Sequence, residues 1–262
     1  MRSRRSPGCE PTSLNQDLLY WMLVITGVLI SALSKGGFGG GLGMVSVPLM
    51  SWVMSPAHAA AIMLPLLCLM DAIGVWAYRR SWSRHAVAAL LPGALVGIVL
   101  GTLAFDWLSE DAVRILLGAT SVLFSLDWFL RPAARIGTGK PPRPLSGVVL
   151  GSAAGFTSTI AHAGGPPANL YLVPLRLNKT VFVGTMTILF AAINLAKLPP
   201  YFMIGLFDQS IVTTILCMVP VAALGMLAGV RLHHRVSDRW FYPLCVGFVL
   251  LTGVKLLWDG FM

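Results

Sequence analysis

"SKGGFGGGLGMVSVPL", residues 34–49, places six glycines in the eight positions 36–43, just after a lysine and between two apolar runs. Glycine inside a helix costs about 0.5–1 kcal/mol relative to alanine, so this run reads as an interruption. The apolar region around it, residues 18–54, is too long for one membrane helix of about 20 residues. Either the stretch is a surface loop between two ordinary helices, or it breaks a helix inside the hydrophobic layer. The rest of the chain decides between the two.

Of 262 residues, 56% are hydrophobic and 11% charged, where a soluble domain carries about 25% charged residues. The mean hydropathy is +0.78, and apolar stretches recur along nearly the whole length. The composition describes an all-α integral membrane protein with no room for a separate soluble domain. The net charge of +9 is spread over short loops and forms no basic stripe, which argues against nucleic acid and for the cytoplasmic ends of membrane helices. Cys9, Cys68, Cys217 and Cys245 have no CxxC spacing; they read as small buried residues, not as disulfides or metal ligands. No metal or cofactor is expected. No GxxxxGK[ST] loop occurs, which excludes an internal ATPase. Arg2, Arg4 and Arg5 ahead of the apolar run imitate a signal peptide, but no small-x-small cleavage site follows.

Six segments are long and apolar enough to span: 57–78, 85–105, 111–130, 180–203, 209–230 and 239–258. Residues 1–17 read as a flexible polar tail, and "RPAARIGTGKPPRP" (131–144) as a basic cytoplasmic linker. It separates a first repeat, 18–130, from a second, 145–262. The second half carries its own interruption, "AHAGGPPAN" (161–169), inside the apolar region 145–176. Written one above the other, "GGFGGGLGMVSVPL" (36–49) and "HAGGPPANLYLVPL" (162–175) both end in VPL, and "MLPLLCLMDA" (63–72) then falls opposite "MTILFAAINL" (186–195), with Asp71 facing Asn194. Each half is therefore expected to be one broken or re-entrant segment followed by three spanning helices. The loops of the two halves carry opposite charge bias: 79–84 is basic where 204–210 is not, and 106–111 is acidic where 231–239 is basic. Under the positive-inside rule the halves are expected to be inverted repeats, although Arg2, Arg4 and Arg5 would then lie outside.

Irregular backbone at membrane depth is tolerated only where protein or a watery cavity surrounds it. A half-helix that begins there points about half a positive charge at the gap, and glycines let a ligand come close to the backbone. Two such breaks meeting mid-membrane make an anion site of the discontinuous-helix kind. The expected substrate-binding residues are Lys35, Gly36, Gly37, Gly39 and Gly40 at the first break. At the second they are Thr157, Ser158, His162, Gly164 and Gly165, joined by Asn194 and Lys197 from the following span. For Thr157, Ser158 and Thr159, hydroxyls bonded back to helix carbonyls are the competing reading, and Lys197 could equally reach the interface. Asp71 and His162 are the proton-relay candidates. Asp71 could instead pair with Arg79; Asp127 is expected near the interface, and His233 and His234 in solvent.

At "SKGGFGGGLGMVSVPL" and "GFTSTIAHAGGPPANLYLVPL" the chain resembles the sulfite exporter TauE/SafE permease family, over about residues 18–258. The resemblance implies a multi-pass bacterial inner-membrane protein with duplicated halves. Its substrates would be small sulfur-containing anions such as sulfite, sulfoacetate or other C2 organosulfonates, moved often outward. The expected function is thus a secondary transporter, an exporter rather than an enzyme, whose partners are the anion and membrane lipid; a homo-oligomer stays open. The alternatives are an anion channel or a proton-coupled uptake permease for organic acids. An intramembrane enzyme built on Ser158 and His162 is a further one, and it lacks any GxSxG or HExxH; a cation or metal transporter is another, and it would call for more intramembrane carboxylates than the one or two this chain offers.

Overall fold

The computed structural model describes residues 11–40, 43–104, 110–130, 144–207 and 209–261. All regular structure there is helical: α1 (Pro11–Phe38), α2 (Ser46–Met50), α3 (Pro56–Tyr78), α4 (Arg84–Leu103), α5 (Glu110–Leu130), α6 (Pro144–Ala161), α7 (Gly165–Leu172), α8 (Lys179–Met203), α9 (Gln209–Arg235) and α10 (Asp238–Phe261). Five of these helices carry stretches long and apolar enough to cross a membrane, within α1, α3, α4, α8 and α9. Leucines and valines such as Leu95, Val99, Leu103, Leu216, Leu224 and Leu251 face outward, as a lipid solvent requires. The chain is an all-helical membrane protein.

Two boundaries differ from the sequence reading. The expected tail 1–17 ends earlier, because α1 already begins at Pro11; residues 1–10 lie outside the described residues, as does the linker up to 143. At the other extreme α9 continues through the basic stretch to Arg235, because cations in the last turn complement the carbonyl end of a helix. Serine caps start α3 and α4: Ser55 accepts from the His58 N–H, and Ser83 from the Ala86 N–H.

Helix neighbours follow a pattern. α4 lies against α6, and α1 against α9. In the first pair, residues 90, 94 and 97 sit beside 151, 155 and 152; in the second, residues 29, 32 and 36 sit beside 225 and 229–230, so the members of each pair run parallel. α3 runs antiparallel to α8, since Asp71 meets Asn194 while Gly74 meets Thr187. α5 runs antiparallel to α10, with Gly118 beside Leu257 and Ser125 bonded to the Val246 carbonyl. The parallel contacts are close because they are glycine contacts. A Cβ on Gly93, Gly97, Gly151 or Gly155 would collide with a carbonyl of the facing helix. Small residues at four-residue spacing are how membrane helices reach such backbone contact.

Both interrupted regions fold back on themselves. α1 ends at Phe38, and Gly39 and Gly40 take φ of +70° and +90°, a left-handed turn that only glycine adopts without strain. The chain then returns along α1: Gly43 reaches Ser31, and the Ser46 hydroxyl donates to the Gly27 carbonyl at 2.7 Å. α6 ends at Ala161, His162 takes φ of +50°, and α7 returns along α6 with Gly164 against Ser158 and the Ala154 carbonyl. Pro166 and Pro167 occupy the first turn of α7, where their missing N–H groups leave no helix bond unmade.

Candidate functional site

The two turns open on one central cavity. Its walls come from α1 and the first turn (Ser31, Lys35, Gly39, Gly40, Gly43), from α6 and the second turn (Ser158, His162, Gly165), and from the antiparallel pair α3 and α8. From that pair it takes Met63 and Leu67 on one side and Met186, Thr187, Phe190 and Asn194 on the other. Leu67 is the middle residue of α3, and Phe190 lies next to the middle of α8. The cavity volume is about 50 Å³. A single water needs about 10–15 Å³ on that measure, so the space suits a few waters or one compact ion.

Two polar chains frame it. In the first, Lys35 Nζ lies 2.8 Å from Asp71 Oδ1, in an ion pair oriented away from ideal hydrogen-bond geometry. Asn194 Nδ2 donates to Asp71 Oδ2 at 2.7 Å. All three residues are buried. One lysine charge is thereby balanced by one carboxylate, and Arg79, the partner weighed for Asp71, instead donates to the Trp76 carbonyl.

The second chain centres on Lys197. It is 0% exposed, and its Nζ donates to the Ser158 carbonyl and hydroxyl, each at 3.0 Å. It also lies 2.9 Å from His162 Nδ1. An ammonium group can only donate, so Nδ1 accepts and Nε2–H donates to the Ala60 carbonyl at 3.0 Å. These ring contacts hold His162 in its left-handed backbone conformation, which costs a non-glycine residue about 1–2 kcal/mol. The Tyr201 hydroxyl donates to the Thr159 carbonyl at 2.7 Å and ties the same end of α6 to α8. Among the described residues no carboxylate lies within ion-pairing distance of Lys197.

The expected site residues thus divide. Lys35, Gly39, Gly40, Ser158, His162, Gly165 and Asn194 line the cavity, and Lys197 stands one layer behind, touching it through Ser158 and His162. Gly36 and Gly37 do not reach it. α1 stays helical through both, because their bare faces let α9 approach at Met226, Gly229 and Val230. Their carbonyls bond to the Tyr78 hydroxyl and the His233 ring. The Thr157 hydroxyl bonds back to the Ala153 carbonyl at 2.7 Å and to the Ala163 carbonyl across the turn. Thr159 bonds back to Gly155. Gly164 packs against α6 and Phe190 without lining the cavity.

His233, expected in solvent, is fully buried between Gly37 and Thr180, whereas His234 is exposed as expected. Cys217 is exposed and Cys68 half-buried, against the expectation of buried cysteines; the side chains of Cys9, Cys245 and Asp127 lie outside the described residues. Sequence reasoning missed the cavity residues Ser31, Gly43, Met63, Leu67, Met186, Thr187 and Phe190. A signal for four of them existed. The internal alignment sets Met63 opposite Met186 and Leu67 opposite Phe190, and both pairs line the cavity.

Each turn brings a helix C-terminus and the start of the returning segment to the cavity: the end of α1 with Gly43 at the first, and the end of α6 with Gly165 at the second. With prolines at 166 and 167, Gly165 alone among the first three residues of α7 has an N–H to offer.

A many-spanning helical bundle with two folded-back segments meeting at a central cavity walled in part by polar side chains is the architecture of a membrane transporter. The model of the family "Sulfite exporter TauE/SafE" matches residues 23–256, and the chain belongs to that family. It is accordingly a multi-pass membrane transporter of the sulfur-anion exporter type and not an enzyme. No curated protein matches the chain, and no solved structure matches it.

Proposed function

We propose that the chain is a secondary exporter of small sulfur oxyanions, sulfite foremost, in the inner membrane of a bacterium, and that the anion sits in the central cavity between the two turns. The observation that carries this reading is Lys197: a lysine with no exposed surface, bonded to two cavity-lining residues and, among the described residues, lacking a carboxylate partner. A buried charge without a counter-ion is strongly unfavourable, and an anion in the adjacent cavity supplies the missing partner. Because Asp71 already neutralises Lys35, the surplus is one positive charge, which favours a singly charged anion, here hydrogensulfite, the protonated form of sulfite. Lys35, Asn194 and the Gly165 N–H lie on the cavity wall to meet its oxygens, with Gly39 and Gly40 leaving room for close approach. The small volume favours sulfite over the longer sulfoacetate.

Asp71 is the natural point of proton coupling. Protonated, it would release Lys35 to a second negative charge; His162, joined to Lys197, is the other relay candidate. The inside-negative potential drives anions outward by about 2.3 kcal/mol per charge per 100 mV. Opposite insertion of the two halves is supported by the antiparallel pairs α3–α8 and α5–α10 and by the parallel pairs α4–α6 and α1–α9. Arg79, Arg80, Arg84, Arg176, Lys179 and Arg235 gather at one end of the bundle, where Ser83 bonds to Thr185 and Lys179 to the Val236 carbonyl. By the positive-inside rule that end is cytoplasmic.

The test is counterflow in proteoliposomes. Labelled sulfite is expected to enter sulfite-loaded vesicles with saturable kinetics and faster than it enters empty ones, with sulfoacetate a weaker competitor. Flux that is linear in concentration would make the protein a channel, and absence of sulfite flux would overturn the assignment.

A further inference from the structure

Among the described residues, the cavity wall contains a fully buried hydroxyl, that of Thr187, for which neither the helix nor any neighbouring side chain supplies a partner. Thr187, on α8, is 1% exposed and lines the cavity, and its Oγ1 makes no hydrogen bond. Four other helical threonines bond back to the preceding turn: Thr102 to Ile98, Thr157 to Ala153, Thr159 to Gly155 and Thr185 to Val181, at 2.6–2.9 Å. Thr187 has the same option at Val183 and does not use it. Its rotamer is set from the other side. The Cγ2 methyl fits over Gly74 of α3 so closely that a Cβ there would lie 2.7 Å from it, and Oγ1 stands farther off at 3.7 Å. A buried hydroxyl left without a partner costs about 1–3 kcal/mol, so its presence on the wall of a polar cavity asks for an explanation.

We propose that Thr187 is a substrate-contacting residue whose hydroxyl donates to an oxygen of the transported anion. This rests on the reading of the cavity as the substrate site. The position fits the role. Thr187 and Asn194 are seven residues apart, two turns along one face of α8, and both line the cavity. Between them they offer a hydroxyl and an amide, and Lys197 follows three residues on. The internal alignment sets Leu64, Asp71 and Gly74 of α3 opposite Thr187, Asn194 and Lys197. Of the antiparallel pair α3 and α8, it is therefore α8 that carries the donors, which join Lys35 of α1 and the Gly165 N–H of α7 around the anion. Oxyanions are recognised by donors that would otherwise be unsatisfied, which also makes the contact selective: a ligand lacking the matching oxygen leaves the hydroxyl unpaired.

Thr187→Val keeps the shape and removes the hydroxyl, and Thr187→Ser keeps the hydroxyl. The valine variant is expected to raise the KM for sulfite counterflow about 10-fold and to shrink the stabilisation that sulfite gives in thermal melting. Without sulfite it is expected to melt at the wild-type temperature or above, since an unmade hydrogen bond has been removed. The serine variant is expected to stay within about 3-fold of wild type. A merely structural threonine would give the opposite signature, a lower melting temperature with unchanged KM. Wild-type KM in Thr187→Val overturns the inference and leaves the cavity assignment standing; absence of sulfite transport by the wild-type protein overturns both. Should the valine variant fail to fold, Thr187→Ala carries the same comparison.

Discussion

Lys197→Met is expected to yield a folded protein that transports sulfite about 100-fold more slowly, or not at all. The two halves of that expectation come from the same fact. Lys197 has no exposed surface and, among the described residues, no carboxylate partner, and its hydrogen bonds are with Ser158 and His162. Replacing buried charged groups by apolar side chains of similar volume is often neutral or stabilising by about 1–4 kcal/mol, so melting in detergent is expected at or above the wild-type temperature. The ligand's loss is larger. Removing one partner of a buried charge pair costs about 2–5 kcal/mol, and each 1.4 kcal/mol is about a factor of ten. Transport in proteoliposomes and melting, measured on the same preparation, separate the two effects. A variant that transports normally would show that the surplus charge does not hold the substrate.

The ion pair in the first chain is expected to behave in the reverse manner. Asp71→Ala leaves Lys35, 7% exposed, without its carboxylate, and leaves the Asn194 amide without an acceptor. Breaking a buried pair from one side costs about 3–5 kcal/mol. For a chain of this size that corresponds to a fall in melting temperature of about 10 °C. The double variant Lys35→Met/Asp71→Asn removes the stranded charge and keeps an acceptor for Asn194, so stability is expected to return while transport does not. The contrast between single and double variants isolates the pair. Asp71→Ala melting with the wild type would mean that the pair is solvated and contributes nothing.

Four of the six expected spans, 57–78, 85–105, 180–203 and 209–230, fall on helices long and apolar enough to cross, because apolar length is a property of the segment alone; 111–130 and 239–258 are helices that do not meet that measure among the described residues. The second break was also legible, where Gly164, Gly165, Pro166 and Pro167 leave little choice of backbone. The first break was misplaced by a few residues. Glycine has one local signature and two uses, and Gly36 and Gly37 serve the second: their bare faces admit α9. The partner signal, Gly225 and Gly229 four residues apart on α9, lies nearly 190 positions away, beyond anything periodicity can connect. His233 was misread for the same reason. A histidine beside arginines looks solvated until the carbonyl of Gly37 arrives from α1. The pairing of Lys35 with Asp71 was likewise out of reach, although the internal alignment had already set Asp71 opposite Asn194, and these two share a hydrogen bond. Cavity polarity could be named in advance, residue by residue, but which hydroxyls were used up on their own helix could not. Thr157 spends its hydroxyl on Ala153, and Thr187 does not.

The central claim is that one anion occupies the space between the two turns. Selenite, the heavier analogue of sulfite, makes this directly measurable as an anomalous difference peak in crystals of the protein. The account predicts a single peak between Gly39 and Gly165, within hydrogen-bond reach of Thr187 and Asn194. A transport-competent protein whose bound selenite lies elsewhere, with that space holding none, would contradict it.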